Sequence, residues 1–247
     1  MIDDILTVVW KERKGLFRVQ GRRSQAIMTL LSPVFLAVFL PWQVGLDWVE
    51  RSMSLLLAFI VSFILVGITI PDAFAGERER HTLPTLLASR LPDRAIVLGK
   101  MATSVAFGWG VTCLVLLLSL IAVNVIHWQG HVVLFRPMLL LADLSVSLLV
   151  CLFVAGLGVL FSMRSSTVQQ AQQLTMSVML FPAMAVQVLA LFLLQSASLR
   201  ARLNATVGSL SFGQFVGVIV MCLAVPTAVL LWAALARFKR ARLILSE

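Results

Sequence analysis

Long runs of apolar residues, separated by short charged stretches, dominate this chain. Six of them approach the length of about 20 residues that an α-helix needs to cross a bilayer. They lie near 25–42, 53–70, 101–124, 137–161, 174–195 and 213–236. None alternates apolar and polar residues as a barrel strand would. The pattern predicts an all-α integral membrane protein with six transmembrane helices, because a helix satisfies its backbone hydrogen bonds internally in lipid.

The first 24 residues show an amphipathic pattern instead. At about 100° per residue, apolar and polar side chains fall on opposite sides of a helix. The apolar side holds Ile2, Ile5, Leu6, Val9, Trp10, Leu16 and Phe17, and the polar side holds Asp3, Thr7, Lys11, Lys14 and Arg18. This predicts an interfacial helix over 1–24. Two interpretations stay open: a membrane anchor, or a connecting helix that also touches a cytosolic partner.

Between the second and third spans, residues 71–100 form a charged, turn-marked insert. Pro71 and Gly76 are expected to end the second span, and a new helix is expected to begin near Asp93. In between, Thr82 can cap a short helix whose Leu83, Leu86, Leu87 and Leu91 share one face. Acidic residues and a one-faced leucine helix favour a docking surface over the alternative, a solvated loop with interfacial leucines.

Composition supports membrane insertion. Hydrophobic residues make up 60% of the chain, charged residues 13%, and the mean hydropathy is +0.99. A soluble domain carries roughly 45–50% apolar and about 25% charged residues. The three cysteines lie within predicted spans and read as packing residues, and no metal-ligand spacing is present. We expect no cofactor and no metal on this chain.

Charge placement predicts the orientation. Six spans put both termini on one side, together with the second and fourth connections. That side carries sixteen of the twenty Lys and Arg residues. By the positive-inside rule it is the cytoplasmic side. The net charge of +9 therefore comes mostly from the basic residues that set the membrane orientation, and it does not indicate a nucleic-acid partner.

The insert and the N-terminus carry motifs that resemble a known family, the permease subunit of type-2 ATP-binding-cassette (ABC) transporters. That family shows an acidic pair, then Gly-Thr-Leu, Leu-Leu-Ala and, entering the third span, Gly-Lys. The matching residues here are Glu77 and Glu79, Thr82-Leu83, Leu86-Leu87-Ala88 and Gly99-Lys100, preceded by Trp10-Lys11-Glu12 and a basic run before the first span. Two positions depart from the pattern: His81 replaces the usual glycine, and Pro84 replaces a common acidic residue.

The resemblance implies a six-span exporter permease in the plasma membrane that works as a homo- or heterodimer. It implies coupling to two copies of a cytosolic ATPase, which would bind ATP and Mg²⁺. The chain has no phosphate-binding Gly-x-x-x-x-Gly-Lys-Ser/Thr loop, so it is not itself expected to be an enzyme. The implied ATPase-coupling residues are Glu77, Glu79, Thr82, Leu83, Leu86, Leu87 and Arg90.

The translocation path is only weakly marked. Asp143 is the one ionisable residue placed well inside a span, and such residues are often functional; the alternatives are a structural ion pair with Arg136 and a shallow interfacial position. The candidate path residues are Phe59, Phe63, Asp143, Met179 and Gln187. A free-standing channel or secondary carrier stays an alternative function, although that class usually shows several intramembrane charges or two matching halves. A membrane-embedded enzyme would need converging catalytic side chains at one depth.

Overall fold

The computed structural model describes residues 2–18, 23–82, 91–193 and 211–237, and within these ranges the regular structure is entirely α-helical. The helices are α1 (Ile2–Arg18), α2 (Arg23–Val44), α3 (Asp47–Glu50), α4 (Met53–Glu79), α5 (Asp93–Ile126), α6 (Pro137–Ser162), α7 (Val168–Leu193) and α8 (Phe212–Arg237). The all-α prediction is confirmed.

Four of these helices, α4, α5, α6 and α8, are long and apolar enough to cross a membrane. They contain the second, third, fourth and sixth predicted spans. Helices α2 and α7 occupy the positions predicted for the first and fifth spans. That all six helices cross the bilayer stays a prediction, as does the interfacial placement of α1.

The main core lies between α4 and α6, with α5 packed on both. Its buried side chains include Phe63, Val66 and Ile70 of α4, Ile96, Val97 and Met101 of α5, and Val146, Val150 and Val154 of α6. Glycines bring the helix backbones close together: Gly158 of α6 faces Ile70, and Gly108 of α5 faces Val66. In a bilayer, close van der Waals packing of this kind is what holds helices together, since lipid is as apolar as the side chains.

A second core joins α2, α3 and α5 at the other end of α4. The short helix α3 buries Trp48, whose indole N–H donates to Ser119 Oγ of α5 at 3.2 Å. Asn124 stabilises the connection between α5 and α6 through two hydrogen bonds. Its amide donates to the Val133 carbonyl at 2.9 Å and accepts from the Val133 N–H at 2.7 Å.

Helix α4 is longer than expected. Pro71 does not close it and Gly76 does not break it, because the helix continues to Glu79. A proline inside a helix weakens the backbone hydrogen bonds of the preceding turn. One residue past the Gly67 carbonyl, which the proline leaves without its helical donor, Gln172 of α7 donates its side-chain amide to the Ile68 carbonyl at 3.2 Å. Side-chain contacts with neighbouring elements thus flank α4 on both sides of Gly76, at Ile68 and at Arg78. The predicted start of the next helix near Asp93 is confirmed.

His81 ends α4 in a left-handed backbone conformation, with φ of 55°. Its N–H donates to the Arg78 carbonyl at 3.0 Å, and the Thr82 N–H donates to the Glu77 carbonyl at 2.9 Å. These two bonds are those of a Schellman motif, whose left-handed position is usually glycine. His81, which replaces the glycine usual in the family, therefore occupies the position of this motif where a side chain strains the backbone.

Candidate coupling site at the charged end of the helices

Four charged side chains meet where α1 crosses the end of α4 and the start of α5. We name Lys11, Glu12, Glu77 and Lys100 the ion cluster, and this end of the protein the charged end. Lys100 Nζ lies 2.9 Å from Glu12 Oε1 and 3.3 Å from Glu77 Oε1. Lys11 Nζ lies 3.0 Å from the same Glu77 oxygen. Two ammonium groups and two carboxylates balance, so the cluster is neutral overall.

Lys100 is the centre of the cluster and is only 1% exposed. Besides the two carboxylates, its ammonium group donates to the Ala73 carbonyl at 2.6 Å. A lysine ammonium has three protons to donate; two of them go to the Ala73 carbonyl and Glu77 Oε1, and Glu12 Oε1 adds an ion pair at 2.9 Å. Burial of a charge is tolerated when it is paired and hydrogen-bonded in this way. Lys100 therefore links α5 to both α1 and α4.

Gly99 explains how α1 comes so close to α5. A Cβ added at Gly99 would lie 2.7 Å from the Cβ of Val8 and 3.3 Å from the Ile5 carbonyl oxygen. The missing side chain lets Val8 bury itself completely and brings Glu12, one turn further along α1, within reach of Lys100. The Gly99-Lys100 pair therefore supplies both the space and the charge for this junction.

Three consecutive residues at the end of α4 contact four neighbouring elements. Glu77 bonds to α1 and α5 through the ion cluster. Arg78 donates to the carbonyls of Ser165 and Met163, at 2.8 and 3.3 Å, in the connection between α6 and α7. The Glu79 carboxylate accepts from the Val168 N–H at 3.5 Å, where the positive end of the α7 dipole favours an anion. The end of α4 is thus joined to four other elements.

The structure brings together three of the residues predicted for ATPase coupling. Glu77 and Thr82 are hydrogen-bonded, with the Thr82 hydroxyl donating to the Glu77 carboxylate, and Glu79 is exposed beside them. Leu83, Leu86, Leu87 and Arg90 lie outside the described residues. Contact with a partner stays a prediction for the whole set. For Glu77 the structure adds intramolecular partners that the sequence did not reveal.

The candidate path residues are not gathered into one site. Phe59 and Phe63 stack with ring centroids 6.4 Å apart, at the α4–α6 core. Asp143 lies buried on α6 and accepts a hydrogen bond from Ser54 at 2.8 Å. The described residues form no ion pair between Asp143 and Arg136, since Ser54 bonds Oδ2 and Oδ1 has no partner; a role of Asp143 on the path stays a prediction. Gln187 is exposed on α7, and the side chain of Met179 is outside the described part.

Sequence reasoning missed that Lys11, Glu12 and Lys100 form one cluster with Glu77, and it missed the anchoring role of Arg78. The residues Trp10-Lys11-Glu12 and Gly99-Lys100 stood out as motifs, but their segments are far apart in the chain. A signal was present in the charge pattern: Glu12 and Lys100 are opposite charges flanking apolar runs. A buried lysine beside a span requires such a counter-charge.

Together, the all-helical bundle and its membrane-length apolar helices define the class of a helical integral membrane protein. The family model for the ABC-2 type transporter matches residues 3–186, well over half of the chain. The chain therefore belongs to the ABC-2 type transporter family, the permease component of type-2 ABC transporters, whose permease domains work with ATPase partners. No curated protein matches the chain.

Proposed function

We propose that this chain is the transmembrane subunit of an ATP-driven exporter in the plasma membrane, with both termini cytoplasmic. Two copies of it, or one copy and a related permease, form the translocation path. A separate ATPase, in two copies, binds ATP and Mg²⁺ and drives the cycle. The observation that carries the proposal is the junction at the charged end, which lies within the predicted coupling segment 71–100 and directly before its residues 83–90.

The junction supports a simple route for coupling. A force applied by the ATPase at residues 83–90 acts first on the end of α4. Glu77 passes the displacement to α1 and α5 through Lys100, whose contacts are all within 3.3 Å. Arg78 passes it to the connection that leads into α7. Rigid, hydrogen-bonded links of this kind can carry a movement between elements without deforming them.

A pull-down of the ATPase tests the docking step. We expect Leu86→Asp with Leu87→Asp to abolish binding at any salt concentration, because burying an unpaired carboxylate in an apolar notch is unfavourable by several kcal/mol. Glu79→Lys should weaken binding in a salt-sensitive way, since exposed interface charges act mainly on association. Glu79 is preferred to Glu77 here because Glu77→Lys would also break the ion cluster.

Membrane insertion and yield of each variant serve as the control for that experiment. Arg80→Gln is a matched exposed variant, because Arg80 pairs only with Asp72 of its own helix, at 3.0 Å. It should bind the ATPase normally. Full binding and full transport by the double aspartate variant would show that residues 83–90 do not dock the ATPase, and the coupling route would then be abandoned.

Thiol labelling in intact cells tests the orientation. Single cysteines at Ser89 and Ser246 should be protected from a membrane-impermeant reagent, and one at Ser198 should react. The natural cysteines Cys113, Cys151 and Cys222 are first replaced by alanine or serine. Reaction at Ser89 from outside would invert the proposed topology and separate the charged end from any cytosolic ATPase.

A further inference from the structure

One fully buried carboxylate, that of Asp143, has no ion pair with any residue that the structure describes. Asp143, in the second turn of α6, is completely buried. Its Oδ2 accepts a hydrogen bond from the Ser54 hydroxyl of α4 at 2.8 Å. Its Oδ1 is also buried and has no hydrogen-bond partner among the described residues. The pair lies at the end of α4 opposite the charged end, in the seam between α4 and α6.

Among the described residues, no basic side chain forms an ion pair with Asp143. Helix α6 packs against α4, α5, α7 and α8. Apart from thiols, the other described ionisable groups on these helices lie at the end far from Ser54. They are Asp72, Glu77, Arg78 and Glu79 of α4, Asp93, Arg94 and Lys100 of α5, and Arg237 of α8. The thiols are Cys113, Cys151 and Cys222, and the charges nearest in sequence are Arg136 before α6 and Glu50 and Arg51 before α4. Arg51 pairs with Asp47.

An ionised carboxylate in this seam would be poorly stabilised. One neutral hydroxyl donor offsets little of the free energy of removing a full charge from water, and ions buried without a partner are avoided for that reason. Protonation of the carboxylate removes this charge. The remaining cost is smaller, because it comes only from one buried O–H that lacks a good hydrogen-bond acceptor. The unpartnered Oδ1 is the oxygen that can hold that proton without disturbing the Ser54 hydrogen bond.

We propose that Asp143 is a proton-binding site buried in the helix bundle, occupied by a proton on Oδ1 in the folded protein at neutral pH. The occupied site lets α4 and α6 close on each other with no charge between them. Release of the proton places an uncompensated negative charge in the seam and favours entry of water or separation of the first turns of α4 from α6. The inference does not depend on the proposed exporter function.

Infrared spectroscopy of the purified, lipid-reconstituted protein tests the protonation state directly. A protonated carboxyl group gives a C=O stretching band well separated from that of a carboxylate. With ¹³C-carboxyl-labelled aspartate, the wild type should show one isotope-shifted protonated band at neutral pH, and Asp143→Asn should lose it. Asp47→Asn, at an exposed aspartate, is the matched control and should keep it. Absence of the band from the wild type would overturn the proposal even if Asp143→Asn fails to fold.

The pH dependence of thermal stability gives a second readout. If the folded state holds a proton that the unfolded chain releases, raising the pH favours unfolding. The unfolded aspartate loses its proton at about pH 4, so the melting temperature of the wild type should fall more steeply from about pH 5 through neutral pH than that of Asp143→Asn, whose amide does not titrate. Ser54→Ala should leave the infrared band in place, since the proton does not depend on the serine. Equal pH dependence in wild type and Asp143→Asn would contradict the proposal.

Discussion

At the scale of single residues, His81 shows how one side chain can carry a backbone strain. Its φ of 55° places the Cβ of an L-residue close to the following carbonyl, which is unfavourable by roughly 1–2 kcal/mol. The Schellman bonds at the end of α4 nevertheless require that conformation. Those bonds orient Thr82 toward Glu77, so the strained position also shapes the site from which the docking segment leaves.

Replacing His81 by glycine should therefore stabilise the protein. We expect His81→Gly to raise the free energy of unfolding by about 0.5–1 kcal/mol, because glycine enters the left-handed region without a Cβ penalty. The measurement is thermal unfolding in detergent, followed by circular dichroism. His81→Ala is the control, since it removes the imidazole and keeps the Cβ. An equal gain from both variants would assign the effect to the imidazole rather than to the backbone.

Lys100 provides the second test at residue scale. Lys100→Met would leave Glu12 and Glu77, which are 17% and 13% exposed, with only Lys11 as counter-charge. Removing one partner of a buried ion pair typically lowers stability by about 3–5 kcal/mol. The double variant Lys100→Met with Glu12→Gln restores the charge balance and should recover part of that loss. Thermal unfolding of both variants measures this recovery. A double variant no more stable than the single one would show that lost packing, rather than unbalanced charge, lowers the stability.

At the scale of elements, α1 packs differently from what its amphipathic pattern suggests. Val8, which the predicted apolar face did not include, is 2% exposed, whereas Leu6 and Trp10 of that face are more than half exposed. The side of α1 that faces α5 carries Val8, which is buried, and Glu12, which is half-buried beside Lys100. The sequence alone does not reveal this side, because the partner charge of Glu12 lies on another helix. Leu6 and Trp10 are left on the free side of α1.

The close contact of α1 with α5 should be sensitive to one methyl group. Gly99→Ala places a Cβ within 2.7 Å of Val8, and overpacking of this kind typically lowers stability by about 1–3 kcal/mol. Gly110→Ala is the matched control on the same helix, because a Cβ at Gly110 meets nothing within 4 Å. Thermal unfolding of the two variants tests this. Equal stability of the two variants would mean that α1 yields freely at this contact.

Much of the element content followed from the sequence, because membrane helices reveal themselves by length and hydropathy. The helices α4, α5, α6 and α8 match their predicted spans for that reason. The end of α4 did not follow, since Pro71 and Gly76 are local signals that the contacts of Gln172 and Arg78 overrule. The candidate site was found as separate motifs, but the contact that unites Glu12 with Lys100 arises only from the fold.

At the scale of the whole molecule, α4 is the helix that connects the Asp143 site with the charged end. It runs from Ser54, bonded to Asp143, to the Glu77–Glu79 run, which contacts α1, α5, the connection before α7, and α7 itself. Its middle is packed along α6 through Phe63, Val66 and Ile70. If an ATPase displaces the charged end, the proposed coupling route therefore predicts that the helices in contact with α4 move with it.

The contact of Arg78 with the connection before α7 should matter for coupling more than for assembly. Arg78→Gln removes the bidentate hold on the Ser165 and Met163 carbonyls, each bond being a charge-assisted one worth about 1.5–3 kcal/mol. In the reconstituted complex with its ATPase, we expect normal binding and continued ATP hydrolysis but reduced transport per ATP hydrolysed. Arg80→Gln, which touches only the exposed Asp72 pair, should leave that ratio unchanged. Parallel loss of hydrolysis and transport in Arg78→Gln would instead mean that the arginine is needed for docking, and an unchanged ratio would exclude the α6–α7 connection from the coupling route.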